Sequence, residues 1–329
     1  MKQGQLRWGV LGLGGVVVNS LGPAIAASAG SVMVACAGRN PDKAKAVAEK
    51  FGALRHYTDI QSLCADPEVD AIYVGTPNAL HHADVLACAK AGKPVLCEKP
   101  FALTIEEGTE MVRACHDAGV LLRVAFQFRF ETLYQRARAI VASGALGELR
   151  SVTLERTAPT GIKHEWRSDP RQAGVLFDVA VHLLDIVPWI TGLGFEEVTA
   201  FSNPDRRLNK PDDTIAILGR LGSSCNAVIR ASRELPHAKN DLVIEGTKGM
   251  LSTSALRWVD DFWLRVKDAS GEREEKFVPT PAYQREVEAF EAAMRGEQTL
   301  LATGEEGVAM IRLSNAILAG INERRVVSL

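Results

Sequence analysis

Along its first third the chain repeats one pattern. A short apolar run rich in β-branched residues is followed by a turn of glycine, asparagine or proline, then by apolar positions at helical spacing. The runs fall at residues 6–11, 32–37, 71–75, 94–97 and 121–125, and the helical stretches at 16–29, 41–51, 81–91 and 104–118. Strand–helix alternation of this length predicts βαβ units with right-handed crossovers and a parallel sheet. Gly92 and Gly119 stand just past two of the helices, where a C-terminal glycine belongs. After residue 125 the texture changes. A helix is expected over 131–143, ended by Gly144 and Gly147, and alternating strands at 150–156, 198–202, 214–221, 224–230, 241–245, 250–254 and 262–266. Period-two alternation describes antiparallel strands with one wet face. A helix over 174–190 interrupts them, and a helical pair runs on from Pro281. The expected fold class is α/β, with a first domain over residues 1–125 and a second, α+β domain with a broad sheet over 126–329.

Composition narrows the function classes. A length of 329 residues suits two domains, and 47% hydrophobic with 24% charged residues is ordinary for a globular chain. A formal net charge of -2 gives no electrostatic argument for nucleic acid or an anionic membrane. Cys36, Cys64, Cys88, Cys97, Cys115 and Cys225 are scattered without a C-x-x-C pair, so neither a metal site nor a disulfide framework is expected, and a reducing cytoplasm fits best. The apolar stretch over 8–37 is interrupted by Gly12, Gly14, Gly15, Asn19, Gly22 and Pro23. It reads as strand, glycine turn, helix and strand rather than as a signal peptide or membrane span.

Four segments carry candidate chemistry. Gly12-Leu13-Gly14-Gly15-Val16-Val17 follows the first strand and opens a helix. Gly12 permits the tight turn, and Gly14 lets backbone approach a pyrophosphate at a helix N-terminus, where free N–H groups favour anions. The third fingerprint position, normally Gly or Ala, is Val17, which brings bulk into the helix–strand contact. The second strand ends in Gly38-Arg39-Asn40, with no carboxylate to accept from ribose hydroxyls; Arg39 offers a fork to a phosphate, so NADP is expected over NAD, the alternative being a solvated arginine at a helix start. Thr76-Pro77-Asn78 forms a turn ahead of His81. Asn78 is either a ribose or carboxamide contact or a helix N-cap, and His81 either a cofactor contact or a structural histidine. The apolar run at 94–97 closes with Glu98-Lys99-Pro100, where doubly wound sheets bind ligands, so Lys99 is either an ammonium aimed into a cleft or a solvated end-of-strand charge. Asp178 and His182 stand four apart in an apolar helix, so both project from one face. A carboxylate there orients the imidazole and raises its basicity, as a general base needs; the alternative is a structural polar pair. Asp185 follows one turn later, and Tyr283 and Phe290 read as core.

Together these residues resemble the glucose–fructose oxidoreductase/inositol dehydrogenase (Gfo/Idh/MocA) family. The likeness is carried by the glycine loop, Thr76-Pro77-Asn78 with His81, the run from Gly92 to Pro100, Trp166-Arg167, and Gly174 to His182. The resemblance implies a Rossmann dinucleotide-binding domain and a C-terminal domain with a large, mainly antiparallel sheet whose outer face mediates homo-oligomers, dimer or tetramer. It implies that Lys99 and His182 face the reacting hydroxyl or carbonyl, that Asp178 completes the catalytic group, and that Glu98 contacts the nicotinamide-side ribose. Thr76, Asn78 and His81 would line the cofactor cleft. This chain departs from the family pattern at Val17, at Ala180 and at Gln172-Ala173. Gln127, Arg129, Trp166 and Arg167 suit a sugar-like substrate, through stacking and dense hydrogen bonding; the alternative for each is an interdomain contact. The leading function is hydride transfer between NAD(P) and a secondary alcohol or carbonyl of a sugar, cyclitol or related diol. The alternatives are a hydrolase or lyase that retains bound NAD and oxidises its sugar transiently, and a cofactor-sensing module without turnover.

Overall fold

A computed structural model describes residues 4–159, 169, 173–256 and 261–329. The chain divides into two compact units, Met1–Phe130 with Pro281–Ile311 and Glu131–Thr280 with Arg312–Leu329.

The first unit opens with β1 (Leu6–Leu11), a π-turn (Val17–Leu21) running into α1 (Gly22–Ala27), β2 (Ser31–Ala37), α2 (Pro41–Phe51), β3 (Arg55–Tyr57) and α3 (Ile60–Ala65). It continues through β4 (Ala71–Val74), α4 (His81–Lys90), β5 (Val95–Glu98), α5 (Ile105–Asp117) and β6 (Leu122–Ala125). These strands pair in parallel in the order β3-β2-β1-β4-β5-β6. The order reverses between β1 and β4, which lie side by side with Leu11 opposite Val74. Ligands of doubly wound sheets bind at that reversal, outside the strands' carboxyl ends. Local chemistry sets the element limits. Asn40 caps α2 by accepting from the Lys43 N–H, Pro41 pre-sets the first turn, and Gly52, with φ of 71°, ends it.

The second unit holds α6 (Thr132–Ala142), β7 (Leu149–Thr157), and a π-turn (Leu176–Ala180) running into α7 (Val181–Thr191). Seven strands follow: β8 (Phe195–Asn203), β9 (Thr214–Leu221), β10 (Cys225–Ser232), β11 (Lys239–Gly246), β12 (Met250–Leu256), β13 (Asp261–Asp268) and β14 (Gly271–Lys276). The last elements are α8 (Ala282–Met294), β15 (Ala302–Thr303), α9 (Gly304–Glu323) and β16 (Val327–Ser328). Among the described residues the second sheet has nine strands, ordered β14-β13-β12-β11-β7-β10-β9-β8-β16. All its pairs are antiparallel except β7 with β10. Alternation is plain in β9, where Ile215 and Ile217 are buried and Ala216 and Leu218 exposed.

In the first unit, α8 and β15 complete the core and the sheet. β15 pairs antiparallel with β6. Phe290 of α8 packs against Trp8 with ring centroids 4.9 Å apart, and the Trp8 indole N–H donates to Ser31 Oγ at 2.9 Å. Phe290 is therefore core, as expected. Tyr283 is only partly buried, and its hydroxyl accepts from Gln127 Nε2 at 3.2 Å.

Candidate active site

The glycine loop leaves β1 at the sheet's reversal point. Gly12 has φ of 84°, and a Cβ there would lie 2.5 Å from the carbonyl carbon and oxygen of Gly75. Two loops, one leaving β1 and one leaving β4, thus meet backbone to backbone. Gly14 is exposed, and no atom stands within 4 Å of where its Cβ would be. Gly15 and Val16 are exposed beside it, whereas Leu13 and Val17 are buried. Open space over the second glycine at a helix start is what a dinucleotide pyrophosphate needs. The residues fit that group. Val17 is accommodated because the neighbouring position is glycine: a Cβ on Gly75 would meet Tyr73 Cε1 at 2.8 Å and Val17 Cγ2 at 3.5 Å. The helix also begins as a π-turn, a widened turn often found at functional sites.

At the end of β2, Gly38 packs on Leu13, whose Cδ1 would lie 3.0 Å from an added Cβ. Arg39 is exposed, and Asn40 spends its side-chain oxygen on the α2 cap. After β4, the Thr76 hydroxyl donates to Asp84 at 2.7 Å. Pro77 precedes the 3-10 turn Asn78–Leu80, which has no side-chain cap, so Asn78 is inside the turn rather than its N-cap. His81 is fully buried, with Nδ1 2.9 Å from the Pro100 carbonyl and Nε2 2.9 Å from the Thr76 carbonyl. Burial pushes its pKa down, and its two ring nitrogens stand against carbonyls of the loops after β4 and β5.

β5 ends in Glu98, and the Lys99–Pro100 peptide that follows is cis. Glu98 is buried. It accepts from the Tyr73 hydroxyl at 2.5 Å and from the Lys99 backbone N–H at 3.1 Å. Burial raises its carboxyl pKa, and the Lys99 charge and the Tyr73 O–H hold that rise back. Lys99 itself is half-buried. Of the substrate candidates, Gln127 reaches Tyr283, and Arg129 is buried and paired with Glu306 at 2.9 Å. Trp166 and Arg167 lie outside the described residues.

In the second unit Asp178 sits in the π-turn, and His182, buried, follows in α7. Three residues invisible to motif reading organise this segment. Arg233, just past β10, forms an ion pair with Asp178. Asp212, fully buried, pairs with Arg206 and accepts from the Leu176 N–H at 2.9 Å. The Arg206 guanidinium also lies 5.3 Å from the centre of the Phe177 ring. Gly174 has φ of 105°, and a side chain there would run into Asp212 and Arg206, so glycine is required. Arg206 opens the short 3-10 turn Arg206–Leu208 and Asp212 lies in the loop after it, with no apolar periodicity to expose them; only their charge, amid Asn, Pro and Asp, hints at a polar anchor. Asp185 is buried further along α7.

Comparison with known proteins agrees with these features. Residues 6–126 match a family described as "Oxidoreductase family, NAD-binding Rossmann fold", and residues 134–252 match the "GFO/IDH/MocA C-terminal domain". The chain is 33% identical to a D-xylose 1-dehydrogenase (NADP(+)) of Haloferax volcanii, across 95% of this chain and 96% of that one. It is 29% identical to a 1,5-anhydro-D-fructose reductase of Ensifer adhaerens, across 92% of each. The crystal structure of an aldose-aldose oxidoreductase from Caulobacter crescentus, complexed with glycerol, superposes with a TM-score of 0.89 at 26% identity, covering 99% of this chain and all of that one. With a Rossmann unit whose glycine loop suits a dinucleotide, a second unit built on a large, mainly antiparallel sheet and matches along nearly its whole length, the chain belongs to the Gfo/Idh/MocA family of NAD(P)-binding oxidoreductases.

Proposed function

We propose that this oxidoreductase prefers NADP and acts on a secondary alcohol or carbonyl of a sugar, cyclitol or related diol, with Lys99, His182 and Asp178 as its acid–base group. The observation that carries the reading is the open cradle over Gly14, in a chain whose full-length relatives are named as sugar reductases and dehydrogenases. NADP is supported by the end of β2, where Gly38 offers no carboxylate and Arg39 stands exposed with its fork available to a 2′-phosphate. Relatives named as dehydrogenases and reductases leave the hydrolase alternative without support. The nicotinamide, when bound, supplies the hydride chemistry. In the oxidative direction the His182 imidazole takes the proton from the substrate hydroxyl oxygen. The Lys99 ammonium stabilises negative charge developing on oxygen, and Asp178, anchored by Arg233, orients the imidazole.

All six cysteines are free and buried, which suits a reducing cytoplasm. The second sheet exposes Phe201, Leu218 and Val228 on neighbouring strands, which favours a homo-oligomer, a state sedimentation measures directly. The function is tested by screening aldoses, keto-sugars, inositols and dihydrodiols with both cofactors while following reduced nicotinamide. Lys99→Ala and His182→Ala are each expected to cut turnover roughly a hundredfold or more. Near-normal rates in both variants, or sugar release with no net change in reduced nicotinamide, would overturn the assignment.

A further inference from the structure

Glu286 stands in the middle of α8, on the face that carries Ala282, Val287 and Phe290 into the first unit's core. It has no exposed surface, and neither carboxyl oxygen has a hydrogen-bond partner among the described residues. An ionised carboxylate so placed costs several kcal/mol unless a cation or donor compensates it. Among the described residues, the charged group that acts on it is Glu98, of the same sign. Burial first, then that like charge, push the Glu286 carboxyl well above its ordinary range.

Glu98 is provided for differently. It takes the Tyr73 hydroxyl and the Lys99 N–H, and it feels the Lys99 ammonium. Tyr73 is itself fully buried and held far above its usual pKa, so it stays a donor. Among the described residues, the other elements packed on α8 bring no cation that bonds to Glu286. Of their titratable groups, the Cys36 thiol donates to the Ala44 carbonyl and Arg129 is paired with Glu306. On α8 itself Glu291 accepts from Ser31, and Tyr283 accepts from Gln127. Two buried carboxyls near one another titrate as a pair, and the proton goes to the member lacking donors.

We propose that Glu286 and Glu98 form a one-proton pair beneath Lys99, in which Glu286 holds the proton and Glu98 the charge, making Glu286 a positioning residue for that lysine. The pair keeps one anion at the foot of the ammonium. Loss of the second proton at alkaline pH places two negative charges in a sealed space and loosens the packing of α8 in the first unit's core, ending activity. The part concerning Lys99 rests on the role proposed for it above; the protonation of Glu286 does not.

Infrared spectroscopy of the cofactor-free chain tests the protonation alone. At neutral pH the wild type is expected to show the carbonyl band of a protonated carboxylic acid, which vanishes on alkaline titration and is missing from Glu286→Gln. Absence of that band from the wild type overturns the proposal, whether or not the variant folds. In the pH–rate profile, Glu286→Gln is expected to move the alkaline limb upward by about one pH unit or more, the size of a lost like-charge interaction. An unmoved or lowered limb, with the infrared band present, overturns the coupling to Lys99 and leaves the oxidoreductase reading intact.

Discussion

One methyl group added at Gly12 and one at Gly14 are expected to have opposite consequences, although the positions are two residues apart. Gly12 has φ of 84°, a region that costs an L-residue roughly 1–2 kcal/mol. Its new Cβ would also stand 2.5 Å from the Gly75 carbonyl, which is backbone leaving β4 and has no rotamer to yield. Overpacking of that kind adds about 1–3 kcal/mol. Gly12→Ala should therefore lose about 2–5 kcal/mol, and at roughly 2–4 °C per kcal/mol for a unit of this size the melting temperature should fall by about 4–20 °C. At Gly14 neither cost arises, because its φ lies outside the left-handed region and no atom stands within 4 Å. Gly14→Ala should melt within about 0.5 kcal/mol of wild type. Its methyl instead fills the cradle where a pyrophosphate would rest, so the Kd for NADP should rise about tenfold or more, which corresponds to ~1.4 kcal/mol. Calorimetry and dinucleotide titration on both variants measure the two effects separately. A Gly12→Ala protein that melts with wild type, or a Gly14→Ala protein that binds NADP with unchanged affinity, refutes the geometry.

Removing the Arg39 fork by Arg39→Ala should raise KM for NADP roughly tenfold to a hundredfold, the value of a charge-assisted phosphate bond, with little effect on NAD; a wild-type preference for NAD would refute the argument. Asp212→Ala takes a buried carboxylate from the Arg206 guanidinium and the acceptor from the Leu176 N–H, so about 3–5 kcal/mol should be lost in urea unfolding, and a loss under ~1 kcal/mol would show that the pair does not anchor the Asp178 segment. Glu286 also sets a pH dependence of stability. Its folded pKa lies above the ordinary 4.5, so above that pH the unfolded chain releases a proton that the folded chain keeps. The contribution is whole below the ordinary value and falls as pH rises toward the folded pKa, at about 1.4 kcal/mol per pH unit. Unfolding free energies of wild type and Glu286→Gln should diverge with that slope, and parallel pH curves would count against a protonated Glu286.

Periodicity alone determined much of this protein. β1, α2 and β9 fall where apolar spacing places them, and the other long elements begin or end within a few residues of expectation. Such patterns are local, because a repeat of 2.0 or 3.6 residues is written into neighbouring positions. The glycine loop, Glu98-Lys99-Pro100 and the Asp178–His182 spacing were legible for the same reason. Elements without an apolar period were not. β3 is three half-exposed or exposed residues, and β14, from Gly271 to Lys276, is charged nearly throughout. Tertiary structure alone decided the π-turns at Val17–Leu21 and Leu176–Ala180 and the packing of α8 in the first unit. It also decided the partners of the polar groups: Arg233 for Asp178, Asp212 for Arg206, and Tyr73 for Glu98. Those partners lie 55, 6 and 25 residues apart in the chain, spacings that no helical or strand repeat encodes. Burial makes an unpaired charge too costly to leave alone, and which distant group answers it is settled only when the chain folds back on itself.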